Sequence, residues 1–180
     1  MKIMIASDIH GSEFFCEKML NLYKKEKAEK LFLLGDLLYH GPRNDLPDGY
    51  TPKGVIPMLN EMKDEILCVR GNCDAEVDQM VLDFPIRKDY NIVEIDGIFM
   101  FLTHGHIFGE DNLPDIPEGS VLLEGHTHIP KCSLKDGIRC LNPGSVSIPK
   151  GGSTNGVIIY ENRVFKWCDL DGTVLNTFKI

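Results

Sequence analysis

None of the six cysteines (Cys16, Cys68, Cys73, Cys132, Cys140 and Cys168) forms a C-x-x-C pair. That spacing excludes a zinc ribbon and a thioredoxin-type redox motif. A chain of this size in a reducing compartment needs no disulfide, so thiols other than Cys73 are expected to be small buried hydrophobes. No apolar run approaches ~18 residues, which excludes a membrane-spanning helix. Asp8 interrupts the first apolar stretch before a signal sequence could form, so the expected location is the cytoplasm. Basic residues are few: 19 Lys and Arg stand against 27 Asp and Glu, a formal net charge of −8. Duplex nucleic acid and anionic membrane surfaces both call for a basic footprint, so neither is an expected partner. Taken alone, the acidic balance also weighs against a phosphorylated substrate. There is no internal repeat, no linker and no low-complexity segment. The 180 residues, 43% of them hydrophobic, suffice for one domain over 1–180 with its own core.

The first half alternates strands and helices. Short apolar runs at Ile3–Ala6, Leu31–Leu34 and Ile66–Val69 read as buried strands. Between them, Ser12 is placed to cap a helix running to about Ala28, and Pro52 opens another that carries Val55, Met58, Leu59 and Met62. This order implies a right-handed parallel arrangement. The second half reads mostly as antiparallel sheet. Asp96-Gly97 marks a hairpin with a type I′ turn, Val121–Leu123 is a further strand, and Lys135–Gly137, Glu161-Asn162 and Asp171-Gly172 are expected to separate the later ones. The expected class is α/β. The loop from Tyr39 to Tyr50 is long for a compact domain, and such loops are usually functional or mobile.

Five apolar strands end in Asp, Asn or His beside a glycine. They lead into Asp8-Ile9-His10, Gly35-Asp36, Gly71-Asn72, His104-Gly105-His106 and Gly125-His126-Thr127-His128. In an open α/β sheet the carboxyl ends of strands form the binding crevice, so these residues converge there. Asp-x-His and His-x-His place two side chains on one side of an extended segment. A carboxylate can bridge two cations because both oxygens accept. Imidazole and carboxylate donors suit Mn²⁺, Fe²⁺ and Zn²⁺. Two such ions about 3.5–4 Å apart can hold a hydroxide and clamp a phosphoryl group. Each motif alone is commonly only a polar turn; five together point to a pair of divalent metals.

The order and spacing of Asp8-x-His10, Gly35-Asp36, Gly71-Asn72, His104 and Gly125-His126-x-His128 resemble the signature of the calcineurin-like metallophosphoesterases. Within that family, His40–Asn44, Gly71–Asp74 and Asn142–Pro149 look like its small bacterial phosphodiesterases, so the resemblance covers nearly the whole chain. It implies a four-layer αββα sandwich of two mixed sheets. It also implies a phosphodiesterase that uses a hydroxide held by two divalent ions, Mn²⁺ first, with Zn²⁺, Fe²⁺, Ni²⁺ or Mg²⁺ as alternatives. Carried over by position, Asp8, His10, Asp36 and His128 hold one ion; Asp36, Asn72, His104 and His126 hold the other. Asn72, Cys73 and His104 are the candidate catalytic residues. A phosphomonoesterase, or a non-catalytic scaffold like the retromer subunit of the same superfamily, are the alternatives. The partner is a small-molecule phosphoester, and self-association is open.

Cys73 departs from the wider family, where His often follows the Gly-Asn pair. A neutral thiol is a weak donor. It either leaves leaving-group assistance weak or merely fits the turn. His40 and Arg43, in the long loop, are candidate substrate contacts together with Cys73. Arg suits bidentate phosphate binding, and the alternative for Arg43 is a surface pair with Asp45 or Asp48. His106 is assigned a hydrogen-bonding role behind the ligands. Asp74 reads as a helix cap in preference to a residue that orients a ligand. Asn142–Gly144 either closes the site or ends a strand.

Overall fold

The computed structural model describes residues 1–180. Three parallel strands, β1 (Ile3–Ala6), β2 (Lys30–Leu33) and β3 (Ile66–Cys68), are joined by helices α1 (Glu13–Glu26) and α2 (Pro52–Asn60). Ser12 caps α1 as its position suggested, its side chain accepting from the Phe15 N–H; Lys27 ends the helix at φ 55°. The remaining strands are β4 (Tyr90–Ile95), β5 (Ile98–Thr103), β6 (Val121–Leu123), β7 (Lys131–Lys135), β8 (Ile138–Asn142), β9 (Gly156–Glu161), β10 (Val164–Asp169) and β11 (Val174–Lys179).

The strands form two mixed sheets, of order β11-β10-β9-β1-β2-β3 and β4-β5-β6-β8-β7. The second half is therefore less antiparallel than its sequence suggested. β5–β6 and β6–β8 pair in parallel, and β9 leaves for the first sheet to run antiparallel to β1. Asp96 and Gly97 lie at φ 53° and 72°, as the expected hairpin turn requires. The β9–β10 turn is one residue later than expected: Glu161 pairs with Val164 in the ladder, so Asn162 and Arg163 make the turn at φ 50° and 65°.

Strand alternation sorts the core into layers. Met4, Ala6, Leu31 and Leu33 face α1 and α2, meeting Cys16, Met19, Leu22, Val55 and Leu59. Ile3, Ile5, Phe32 and Leu34 face the second sheet, meeting Met100, Leu102, Val121, Leu123 and Leu141. The outer face of the second sheet, with Phe101, Leu122, Ile138 and Cys140, is covered by Phe108, Leu113 and Ile116. The expected sandwich is present in its two mixed sheets and one helical face. The opposite face is an irregular segment, because residues 104–120 contain no helix.

Candidate metal centre

The polar residues meet where strands of both sheets end. Hydrogen bonding continues past β1 and β2: His10 N–H donates to the Asp36 carbonyl at 2.9 Å and Gly11 N–H to that of Leu37 at 2.8 Å. Gly125 N–H likewise donates to the His104 carbonyl at 2.8 Å, which keeps the two His-bearing loops in register. Asp8, His10, Asp36, His126 and His128 all have positive φ, between 47° and 68°. Non-glycine residues rarely sit there, and such strain clusters at functional sites.

Three groups of donor atoms result, two of them free of cysteine. Asp8, His10 and His128 form one; Asp8, Asp36 and His104 form the other; within each, ligand atoms lie within 4.8 Å of one another. Asp36 Oδ2 stands between the imidazoles, 3.7 Å from His10 Nε2 and 3.4 Å from His104 Nε2. Its other oxygen accepts the Cys73 backbone N–H at 2.8 Å. The imidazoles are oriented alike. Nδ1 of His10, His104 and His128 lies 2.6–2.7 Å from the carbonyl oxygens of Tyr39, Leu34 and Ile148. Each neutral ring must place its N–H there, so each Nε2 presents a lone pair to the centre.

Those lone pairs lack a partner within the chain. His10 Nε2 and His128 Nε2 are 3.2 Å apart. Both face Asp8 Oδ1, a buried oxygen that receives no hydrogen bond. Asn72 Oδ1, on an exposed residue, points at His104 Nε2 from 3.0 Å, acceptor to acceptor while that ring is neutral. Buried acceptors brought together without a donor are costly. A cation resolves the conflict, so the residues fit a metal. A proton is the other species that suits these atoms. Burial disfavours a charged His104, but the hydrogen bond and charge of Asp36 and the charge of Asp8 outweigh it and raise the imidazole to about 9. His10 is raised against its own burial by Asp8 in the same way. Burial would raise Asp8, yet His10, His128 and His104 hold its carboxyl well below the usual range.

His126 stands slightly outside these groups. Its backbone N–H donates to Asp8 Oδ2 at 3.1 Å and its half-buried ring packs edge-on to His104. Cys73 joins His10 and Asp36 in a third donor group. Burial first, then the Asp36 charge, pushes its thiol up to about 12, so it is neutral at pH 7.

Several expectations need correction. His40 is not on the wall of the site: its ring lies edge-on to Tyr39 and Tyr50, with Nδ1 buried and unpartnered. His106 makes no hydrogen bond through its buried Nδ1 and instead packs its ring against His104. Asp74 caps no helix. Its carboxylate accepts the backbone N–H groups of Asp36, Leu37 and Gly71 at 2.7–2.9 Å, tying together the loops after β2 and β3. Asn142 braces the His126 loop, donating to the Gly125 carbonyl at 2.7 Å. Ser145 and Ser147 hydroxyls both donate to the Asp8 carbonyl, at 2.8 and 3.2 Å.

A cavity of about 350 Å³ opens above this cluster, with Arg43 and Cys73 on its wall. Asn44, Thr127 and Lys150 line it too. None of the three was singled out in the sequence: Asn44 and Thr127 lie inside the quoted segments with nothing to mark their side chains as lining, and Lys150 falls just beyond Asn142–Pro149.

The fold and this centre define a class. The calcineurin-like phosphoesterase superfamily domain matches residues 1–163, and the chain belongs to that superfamily of phosphoester hydrolases. Over 164 residues it is 49% identical to phosphodiesterase YfcE of Escherichia coli, covering 91% of this chain and 89% of that one. The solved structure of the E. coli phosphoesterase YfcE covers 100% of both chains with a TM-score of 0.97 at 46% identity. Phosphodiesterase MJ0936 of Methanocaldococcus jannaschii is 26% identical over 92% of this chain and 97% of its own. Vacuolar protein sorting 29 of Cryptosporidium parvum shares the fold, with a TM-score of 0.66 at 18% identity over 99% of this chain and 98% of that one.

Proposed function

We propose that the chain is a metal-dependent phosphodiesterase that works with two divalent cations, Mn²⁺ first among the candidates. One observation carries this reading: a single oxygen, Asp36 Oδ2, sits between the Nε2 atoms of two imidazoles whose Nδ1 atoms are held by backbone carbonyls, so the neutral rings both turn lone pairs toward it. Asp8, His10, Asp36 and His128 would hold one ion, and Asp36, Asn72, His104 and His126 the other. When bound, the pair would supply a hydroxide nucleophile and neutralise charge developing on the phosphoryl oxygens.

The protein groups do the positioning. Backbone carbonyls of Tyr39, Leu34 and Ile148 fix the three imidazole tautomers. Asp74 fixes the backbone at Asp36, and Ser145 and Ser147 fix it at Asp8. Arg43, on the cavity wall, offers a charged donor to the bound substrate. The neutral Cys73 thiol gives the leaving oxygen at most a weak hydrogen bond, which favours diesters with acidic leaving groups. The expected substrate is a small molecule acted on in the cytoplasm; duplex nucleic acid is disfavoured by the net charge of −8.

Hydrolysis of bis(p-nitrophenyl) phosphate after exhaustive chelation, with and without added Mn²⁺, Zn²⁺, Fe²⁺, Ni²⁺ or Mg²⁺, tests the proposal. Activity is expected only with metal, and to exceed that on p-nitrophenyl phosphate. Asp36→Asn is expected to lose about 100-fold or more. Turnover that survives chelation undiminished would sink the proposal.

A further inference from the structure

The cavity over the metal centre carries more positive charge than a phosphodiester calls for. Two divalent ions contribute about +4, the carboxylates Asp8 and Asp36 about −2 and the hydroxide nucleophile about −1, so the centre alone already balances the single negative charge of a diester. Yet Arg43 and Lys150 also line the cavity, from separate loops. Gly41, two residues before Arg43 in the loop after β2, lies close enough to Cys73 that a Cβ there would stand 3.1 Å from its sulfur, while Lys150 donates its backbone N–H to the His128 carbonyl at 3.1 Å. Neither side chain forms an ion pair, although acids outnumber bases in the chain. Asp36 is the sole carboxylate on the wall.

The rest of the lining is equally selective. Asn44 and Thr127 offer an amide and a hydroxyl; apart from Pro42 and the Cys73 thiol the wall is polar, and no aromatic ring other than an imidazole reaches it. The Thr127 oxygen accepts from Asn142 and from the Ile129 N–H, which leaves its own hydrogen free to donate. A nucleobase or aryl arm finds no stacking platform here. An anionic arm finds two unpaired cations and neutral donors.

Building on the proposed phosphodiesterase activity, we infer that the natural substrate carries a second anionic group, a carboxylate or phosphate, on the arm retained after cleavage, and that Arg43 and Lys150 read that group. Both are specificity-determining residues. A charged donor pair aimed at a carboxylate or phosphate discriminates strongly against a neutral arm.

Diesters sharing the p-nitrophenolate leaving group separate this idea from the activity itself. The arms are 2-hydroxyethyl, carboxymethyl, 2-phosphoethyl and choline, assayed on the Mn²⁺-reconstituted enzyme. The carboxymethyl or the phosphoethyl ester is expected to exceed the hydroxyethyl ester in kcat/KM by about tenfold or more, and the choline ester to fall below it. Whichever anionic ester leads identifies the group. Arg43→Gln and Lys150→Gln should each shrink that preference severalfold, raised salt should weaken it, and Lys166→Gln, on the exposed side of β10, should preserve it. Equal kcat/KM for charged and neutral arms, or a preference untouched by both variants, overturns the inference while leaving the phosphodiesterase reading intact. Failure to hydrolyse any of the four with any metal overturns both.

Discussion

At the scale of single residues, the centre depends on groups that never face the cavity. Asp74 is buried and its two oxygens take three backbone N–H groups, including that of Asp36. Asp74→Asn replaces one acceptor with an amide that must point its hydrogens at donors. Stability should fall by about 1–3 kcal/mol and metal affinity by roughly 10–100-fold. Denaturant unfolding of the metal-free protein and a metal titration measure the two effects separately. The sequence placed Asp74 beside Gly71-Asn72 but could not show its direction. A carboxylate before a short 3₁₀ turn, Asp78–Met80, resembles a cap, and only the approach of the β2 loop reveals what it binds. His40 misled for the converse reason: nearness to Asp36 in sequence does not say that Tyr39 and Tyr50 enclose its ring.

At the scale of elements, apolar runs and their polar ends were legible because β1, β2, β5 and β6 are largely buried strands, β3 is a half-buried edge strand, and the residues that follow all five enter one crevice. Which sheet each later strand joins was not legible. β9 is apolar on both faces, like any central strand, and its pairing with β1 is a long-range choice. That pairing also brings Ser145, Ser147 and Lys150 to the centre, which is why their roles were missed. The loops after β2 and β3 touch so closely that a Cβ on Gly71 would overlap Asp36 Oδ1 and its backbone nitrogen. Gly71→Ala should therefore abolish tight metal binding and cost about 3 kcal/mol or more. Gly97→Ala, in the open β4–β5 turn at φ 72°, meets no atom within 4 Å. It should cost only about 1 kcal/mol from the backbone and leave metal binding unchanged. Thermal unfolding and metal titration of both variants check the contrast.

At the scale of the whole molecule, metal and proton compete for the same lone pairs. His104 is raised from 6.5 to about 9 in the metal-free chain, and His10 is raised too. A base raised on folding stabilises the fold fully below its unfolded value, and that contribution disappears as pH climbs through the folded one. The melting temperature of the metal-free protein should thus decline between pH 6.5 and about 9. Metal binding at pH 7 should release about one proton or more, seen as a dependence of the calorimetric heat on buffer ionisation. Metal affinity should rise with pH over that range. The formal charge of −8 counts the centre as bare carboxylate, whereas the loaded molecule presents a positive site in an acidic surface.

The five left-handed residues set selection for durability against selection for chemistry. Asp8, His10, Asp36, His126 and His128 each hold a backbone shape in which glycine would be at ease. A library sorted for survival at high temperature without metal would drift toward glycine at these five positions, and one sorted for turnover would refuse it. Comparing the two enrichment profiles would pick out the catalytic centre without any knowledge of the substrate.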